Sequence, residues 1–256
     1  MNILVCVKHV VDSTEVRVDK KSGELILGGI PTKINDYDKN AIEEAVKIKQ
    51  ASNGTVALLT VGPKDAFKTV KEGLAMGADK AYLIDDEGLN PDDPLQIAKV
   101  LAAAVKQLGS FDLIFAGTIS EDKGNSLTGP SLAERLQLEH IAYVNKVEVV
   151  SHKVIVERRV DQFIETIEAE LPVVLTVDRS INLPRLPTAI QVMKVQANKI
   201  IKWTLEDVGI AEEPDSRVEL KEIRVIPTER KKVILEGDSK TTSQQLMKHL
   251  TEEGVV

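Results

Sequence analysis

The chain has one cysteine in 256 residues, Cys6, and only 3% aromatic residues. A single cysteine excludes an intramolecular disulfide, a cysteine-rich zinc site and a cysteine-ligated iron–sulfur cluster within this chain. With so few rings the core must be aliphatic, and the 43% hydrophobic content is enough to build one. Basic charge is not in excess either. The formal net charge is -7, whereas phosphate backbones want a basic face, so no nucleic acid partner is expected. No apolar run approaches the roughly 20 residues that span a bilayer, so no direct membrane insertion is expected. The opening Met1-Asn-Ile-Leu-Val-Cys-Val7 lacks the layout of a signal peptide, and a reducing, cytoplasmic setting follows as the expectation. His9, His140, His152 and His249 are scattered without paired-ligand spacing, and there is no Gly-x-Ser-x-Gly elbow. No catalytic group and no metal site is expected. Asp85-Asp86-Glu87 and Asp92-Asp93 read as a solvated turn, with a metal the lesser alternative. Cys6, inside a strand, reads as a small buried apolar residue.

What the chain does have is alternation of strand and helix over residues 1 to about 200. Ile3–Val7, Thr55–Val61, Ala78–Ile84 and Phe111–Ala116 are short aliphatic runs of the kind found in buried parallel strands. Between them, Asn40–Lys49, Asp65–Met76 and Leu95–Leu108 carry apolar residues at helical spacing. Asp93-Pro94 opens the third helix, with proline where its missing N–H costs nothing. Gly129-Pro130 begins another that runs to about Leu136. This order predicts an α/β fold, a mostly parallel sheet with helices on both faces.

Such sheets bind ligands beyond the carboxyl ends of their strands. Four loops lie there: Lys8–Thr14, Asn35–Lys39, Gly62-Pro63 and Gly117–Gly129. The last reads Gly117-Thr-Ile-Ser-Glu-Asp-Lys-Gly-Asn-Ser-Leu-Thr-Gly129 and feeds a helix. Its small residues admit close backbone approach, and N–H groups at a helix start favour an anion such as phosphate. Read from its residues alone, it is equally an ordinary solvated loop before a capped helix. Neither the dinucleotide fingerprint G-x-G-x-x-G nor a Walker A motif is present.

The stretch Val156–Lys199 is the most specific. Val156, Arg158, Asp161, Glu165, Ile167, Pro172, Val174, Leu175 and Thr176 fall in the order of a family signature, and Asn182-Leu-Pro-Arg185 matches an Asn-x-Pro-Arg loop. In these residues the chain resembles the beta subunit of an electron-transfer flavoprotein. Gln162 and Phe163 replace the glycine and the small or acidic residue usual after Asp161, and a glutamine common at the position of Leu127 is missing. The resemblance runs through essentially the whole chain.

That resemblance implies a Rossmann-like, adenine-nucleotide-binding domain over 1–202, including a recognition loop at about 178–198. It also implies an extended C-terminal arm over 203–256 that packs on an alpha subunit as a heterodimer. Carried over by matching residues, the nucleotide is held by Cys6, by Asn35, Asp36, Tyr37 and Asp38, by Val61, and by the phosphate loop Gly117, Thr118, Ile119, Ser120, Glu121, Asp122, Lys123, Gly124, Asn125, Ser126, Leu127 and Thr128. The occupant is AMP in one branch. In the electron-bifurcating and nitrogen-fixation-associated branch it is a second FAD that meets NADH (NAD as the further cofactor). The Thr128-Gly129 pair is similar to the AMP branch. Gly129–Glu134, Lys33–Glu43 and Val233–Asp238 are similar to the bifurcating branch, to which the balance tips. A flavin dehydrogenase docks on the recognition loop, with Leu183, Leu186 and Ile190 as apolar anchors. Arg185 either steers an acidic partner or caps a local carboxylate, and the leucines alternatively pack into the chain's own core. The function the resemblance implies is that of an electron carrier, relaying electrons between NADH or acyl-CoA-type dehydrogenases and other redox partners. The other function class is a nucleotide-binding regulatory module of the same architecture, which needs neither the proline-rich loop nor the arm.

The arm itself has a distinct composition. Trp203–Ile210 leads to an alternating stretch, Val218–Val225, then to a charged one, Pro227–Lys232, and Thr242–Leu250 reads as a short amphipathic helix. A segment so short of core residues does not fold alone.

Overall fold

The aliphatic runs form the strands that the sequence predicts, and they assemble around the first of them. The computed structural model describes residues 1–19, 24–26, 28–86, 88–212, 214–223 and 232–256. In chain order the described elements are β1 (Asn2–Cys6), β2 (His9–Val11), β3 (Arg17–Val18), β4 (Leu25–Ile26), β5 (Thr32–Ile34), α1 (Asp36–Ser52), β6 (Thr55–Val61), α2 (Ala66–Ala75), β7 (Lys80–Ile84), α3 (Pro94–Leu108), β8 (Leu113–Gly117), α4 (Thr128–Leu136), β9 (Glu139–Val150), β10 (Lys153–Val160), β11 (Phe163–Glu170), β12 (Val173–Val177), α5 (Ala189–Lys194), β13 (Ile200–Trp203) and α6 (Ser239–Glu252).

The main sheet has nine strands in the order β11-β10-β9-β12-β8-β1-β6-β7-β13. From β9 to β13 every neighbouring pair is parallel. β1 is buried on both faces. Ile3 and Val5 join the aliphatic layer under α1 and α2, while Leu4 and Cys6 join the layer under α3 and α4. The chain winds from β1 to β6 and β7 on one side, then crosses to β8 on the other. The reversal opens a crevice beyond the carboxyl ends of β1 and β8.

The sheet is mostly parallel, as the sequence predicts, with an antiparallel extension of β9, β10 and β11 that the alternation did not reveal. The register of β9 breaks against both neighbours, and Tyr143 within it takes a left-handed φ of 59°. Those breaks interrupt the alternation by which sequence reveals a strand. The domain also extends past residue 202. Trp203 lies in β13, beside β7, with its ring 4.8 Å from that of Tyr82. Leu205 and Val208 are buried under the α3 layer. Farther on, the Asp93 carboxylate accepts from the Ser216 hydroxyl (3.1 Å) and the Arg217 N–H (2.8 Å), and Gln96 donates to the Pro214 carbonyl. A boundary at 202/203 therefore falls inside the last strand. α6 buries none of its residues. Residues 224–231, which hold most of the charged stretch and the end of the alternating one, lie outside the described residues.

Candidate functional site

β1 ends at Cys6, and the next residues turn outward into the crevice. The Lys8 N–H donates to Asp38 Oδ2 (2.7 Å) and the Gly117 N–H to Asp38 Oδ1 (3.0 Å). One buried carboxylate thus ties the end of β1, the end of β8 and the first turn of α1. Burial pushes Asp38 up to about 7, against the downward pull of these N–H donors. Asn35, one residue before α1, clamps the loop that follows β8: its Nδ2 donates to the Ile119 carbonyl (2.9 Å) and its Oδ1 accepts from the Glu121 N–H (3.1 Å). Gly117 is required at this crossing, since a Cβ there would overlap the Asp38 carboxylate and approach Tyr37 Cβ at 2.7 Å.

These ties shape a cleft that is partly open to solvent. Of the residues expected to bind a nucleotide, Cys6, Asn35, Asp38, Val61, Gly117, Thr118, Ile119, Ser120, Asn125, Ser126, Leu127 and Thr128 line it. The others fasten the loop from behind. Asp122 pairs with Lys8 (2.8 Å) and Lys123 with Asp92 (2.7 Å). Glu121 pairs with Lys33 (2.9 Å), which also meets Asp36 (3.3 Å). Tyr37 lies under the Arg179 guanidinium, 5.8 Å from it, and Gly124 turns the loop at φ 64°.

The far wall consists of Pro91, Pro94, Ile97 and Leu101, with Leu59 and Val61 beneath. Sequence reasoning missed it, because an apolar helix face reads as core. The signal was there: α3 is apolar around more of its circumference than one buried face needs. Asp92 and Asp93, read as a solvated turn, are instead an ion-pair partner of the loop and the N-cap of α3.

The polar chemistry gathers on one side. The N-terminus of α4 has no side-chain cap, so its first N–H groups are left for another acceptor. Thr128 and Ser126 stand beside it. The Thr118 hydroxyl is buried without a hydrogen-bond partner, which is costly unless a ligand completes it. His9 also lines the cleft, with Nδ1 2.7 Å from Thr69 Oγ1, and burial lowers its pKa, which favours the neutral ring. Burial first, then the charge of Asp38, push the Cys6 thiol up to about 12, which makes it inert as a nucleophile. The donors and hydroxyls fit a phosphate, and the aliphatic wall fits a planar base.

The expected docking loop lies on the surface. Leu183, Leu186 and Ile190 are 91%, 77% and 64% exposed, which removes the alternative that they fill the core. Arg185 does not face outward with them. Its guanidinium and N–H all bond to Glu43 (2.7–3.1 Å), so of the two expected roles it caps a local carboxylate.

Residues 25–208 match a family model described as an electron transfer flavoprotein domain. The electron transfer flavoprotein subunit beta of Thermoanaerobacterium thermosaccharolyticum is 35% identical over 261 residues, with both chains covered in full. Subunit CarD of the caffeyl-CoA reductase–Etf complex of Acetobacterium woodii is 37% identical over 214 residues, covering 83% of this chain and 82% of that one. Protein FixA of Sinorhizobium fredii is 32% identical over 217 residues, covering 82% and 76%.

Proposed function

The chain belongs to the electron transfer flavoprotein family as a beta subunit, and on that premise we propose that its cleft holds the adenylate part of a nucleotide. The observation that carries this reading is the junction at residues 117–129. An uncapped helix start, two hydroxyls and the orphaned Thr118 hydroxyl border one cleft. The phosphate takes the α4 N–H groups with Ser126 and Thr128, and the base lies against Leu59, Ile97 and Leu101.

AMP and FAD share that adenylate. We favour FAD, because Gly129–Glu134, Lys33–Glu43 and Val233–Asp238 resemble the bifurcating branch and the cleft is partly open to solvent. A bound FAD would supply the redox chemistry, and the chain's own residues bind, orient and shield it. In this reading the subunit works in a heterodimer with an alpha subunit and accepts electrons from a flavin dehydrogenase, or from NADH if the second flavin bifurcates them. Residues after Val218 embrace the alpha subunit. Among the described residues no helix is long and apolar enough to cross a membrane, and we place the protein in the cytoplasm.

The direct test is the Ser126→Ala, Thr128→Val double variant of the heterodimer. Each lost hydrogen bond to a charged group is worth about 1.5–3 kcal/mol, so nucleotide retention through gel filtration should fall by about tenfold or more. Unchanged retention would remove the phosphate from this loop.

A further inference from the structure

A polar stripe is buried along α1. Asn35, Asp38, Asn40, Glu43 and Glu44 are all less than a tenth exposed. Asn35 and Asp38 serve the ligand loop. The other three turn to a different segment, residues 179–185. Asn40 Nδ2 lies within donating distance of the Arg179 carbonyl (3.2 Å), the Asn182 carbonyl (2.7 Å) and Asn182 Oδ1 (3.0 Å). Asn182 Nδ2 returns to the Asn40 carbonyl and to Glu44 Oε2, each at 3.0 Å. Glu43 receives the Arg185 N–H (3.1 Å), Nε (2.7 Å) and Nη2 (3.0 Å).

Buried polar pairs of this kind are weak devices for stability, because both partners are stripped of water. What they do well is fix geometry. Here they pin Asn182 and Arg185, the two residues that bracket Leu183 and Pro184. Leu186 follows Arg185 directly, and Pro187 stiffens the far side. These bonds fix the backbone on either side of the exposed leucines.

We infer that Asn40 and Glu43 are positioning residues: they present Leu183 and Leu186 as a preformed apolar knob for the partner dehydrogenase. A preformed knob avoids the ordering cost of a loop that folds on contact. The inference rests on the docking reading given above, and the test separates the two.

The heterodimer is reduced by a flavin acyl-CoA dehydrogenase supplied with its acyl-CoA, and dithionite serves as a reductant that needs no docking. Leu186→Ala should raise the KM for the heterodimer about tenfold, with kcat nearly unchanged, as expected for loss of a binding contact. Glu43→Gln and Asn182→Ala should each raise KM severalfold while reduction by dithionite and nucleotide content stay as in the wild type. Combined with Leu186→Ala, either variant should add little, since the two changes damage one device. Unchanged KM in both Glu43→Gln and Asn182→Ala, or strict additivity with Leu186→Ala, overturns the positioning role alone. Unchanged KM in Leu186→Ala, or a wild-type heterodimer that the dehydrogenase does not reduce, overturns the docking reading and the inference with it. Asn182→Ala lies on the loop side and keeps the test open if Glu43→Gln disturbs α1.

Discussion

Asp38 is the residue at which binding and stability meet, because it accepts from both Lys8 and Gly117 in a buried setting. Burial raises its carboxyl from 3.8 to about 7. Between those values the folded chain holds a proton that the unfolded chain has released. Stability contributed by this group is therefore present at low pH and declines as pH rises through that window. Urea melts between pH 4.5 and 7.5 should show the decline, and Asp38→Asn, neutral throughout, should flatten it. A slope unchanged in that variant would assign the titration elsewhere. At Arg185 the expectation is destabilisation. Arg185→Ala leaves buried Glu43 without its guanidinium, and the loss should fall at or below the low end of the ~3–5 kcal/mol known for broken buried pairs, because the guanidinium is partly exposed and the backbone N–H still donates to Glu43. From sequence, Arg185 could be assigned either role; the choice was fixed by a glutamate 142 positions away, a separation that no local pattern spans.

Among the elements, α4 is placed by contact rather than by propensity. A Cβ at Gly129 would overlap Thr176 Cγ2 on β12. Gly129→Ala should therefore push the helix start off the sheet, cost about 1–3 kcal/mol by overpacking, and release the nucleotide, which a thermal melt and a retention assay would register together. If stability falls while the nucleotide stays, the helix start is not its anchor. The elements were legible to different degrees for physical reasons. β1, β6, β7 and β8 are continuous aliphatic runs because both faces are covered, and they announce themselves. β9 and β11 face solvent on much of their length, and register breaks interrupt the period of β9. The loop 117–129 was visible through its small residues and hydroxyls, whereas its far wall was hidden in the apolar side of α3.

At the scale of the whole molecule, composition misplaces the edge of the domain. The polar sequence after Lys202 looks detached, yet Trp203, Leu205 and Val208 complete the sheet edge and the α3 layer. Truncation after Lys202 should thus lower the melting temperature sharply, since burying each such side chain contributes about 1.5–3 kcal/mol. Truncation after Val218 should leave the domain's melt intact and abolish co-purification with the alpha subunit. An intact capture ratio in the shorter chain would show that the arm is not what holds the partner. The central claim, a nucleotide in the beta subunit, is tested most directly by acid release and chromatography of the purified heterodimer. The account predicts two FAD per heterodimer, one of them lost on Ser126→Ala, Thr128→Val. One FAD with one AMP would keep the adenylate site and correct its occupant. One FAD with no second adenine nucleotide would contradict the claim.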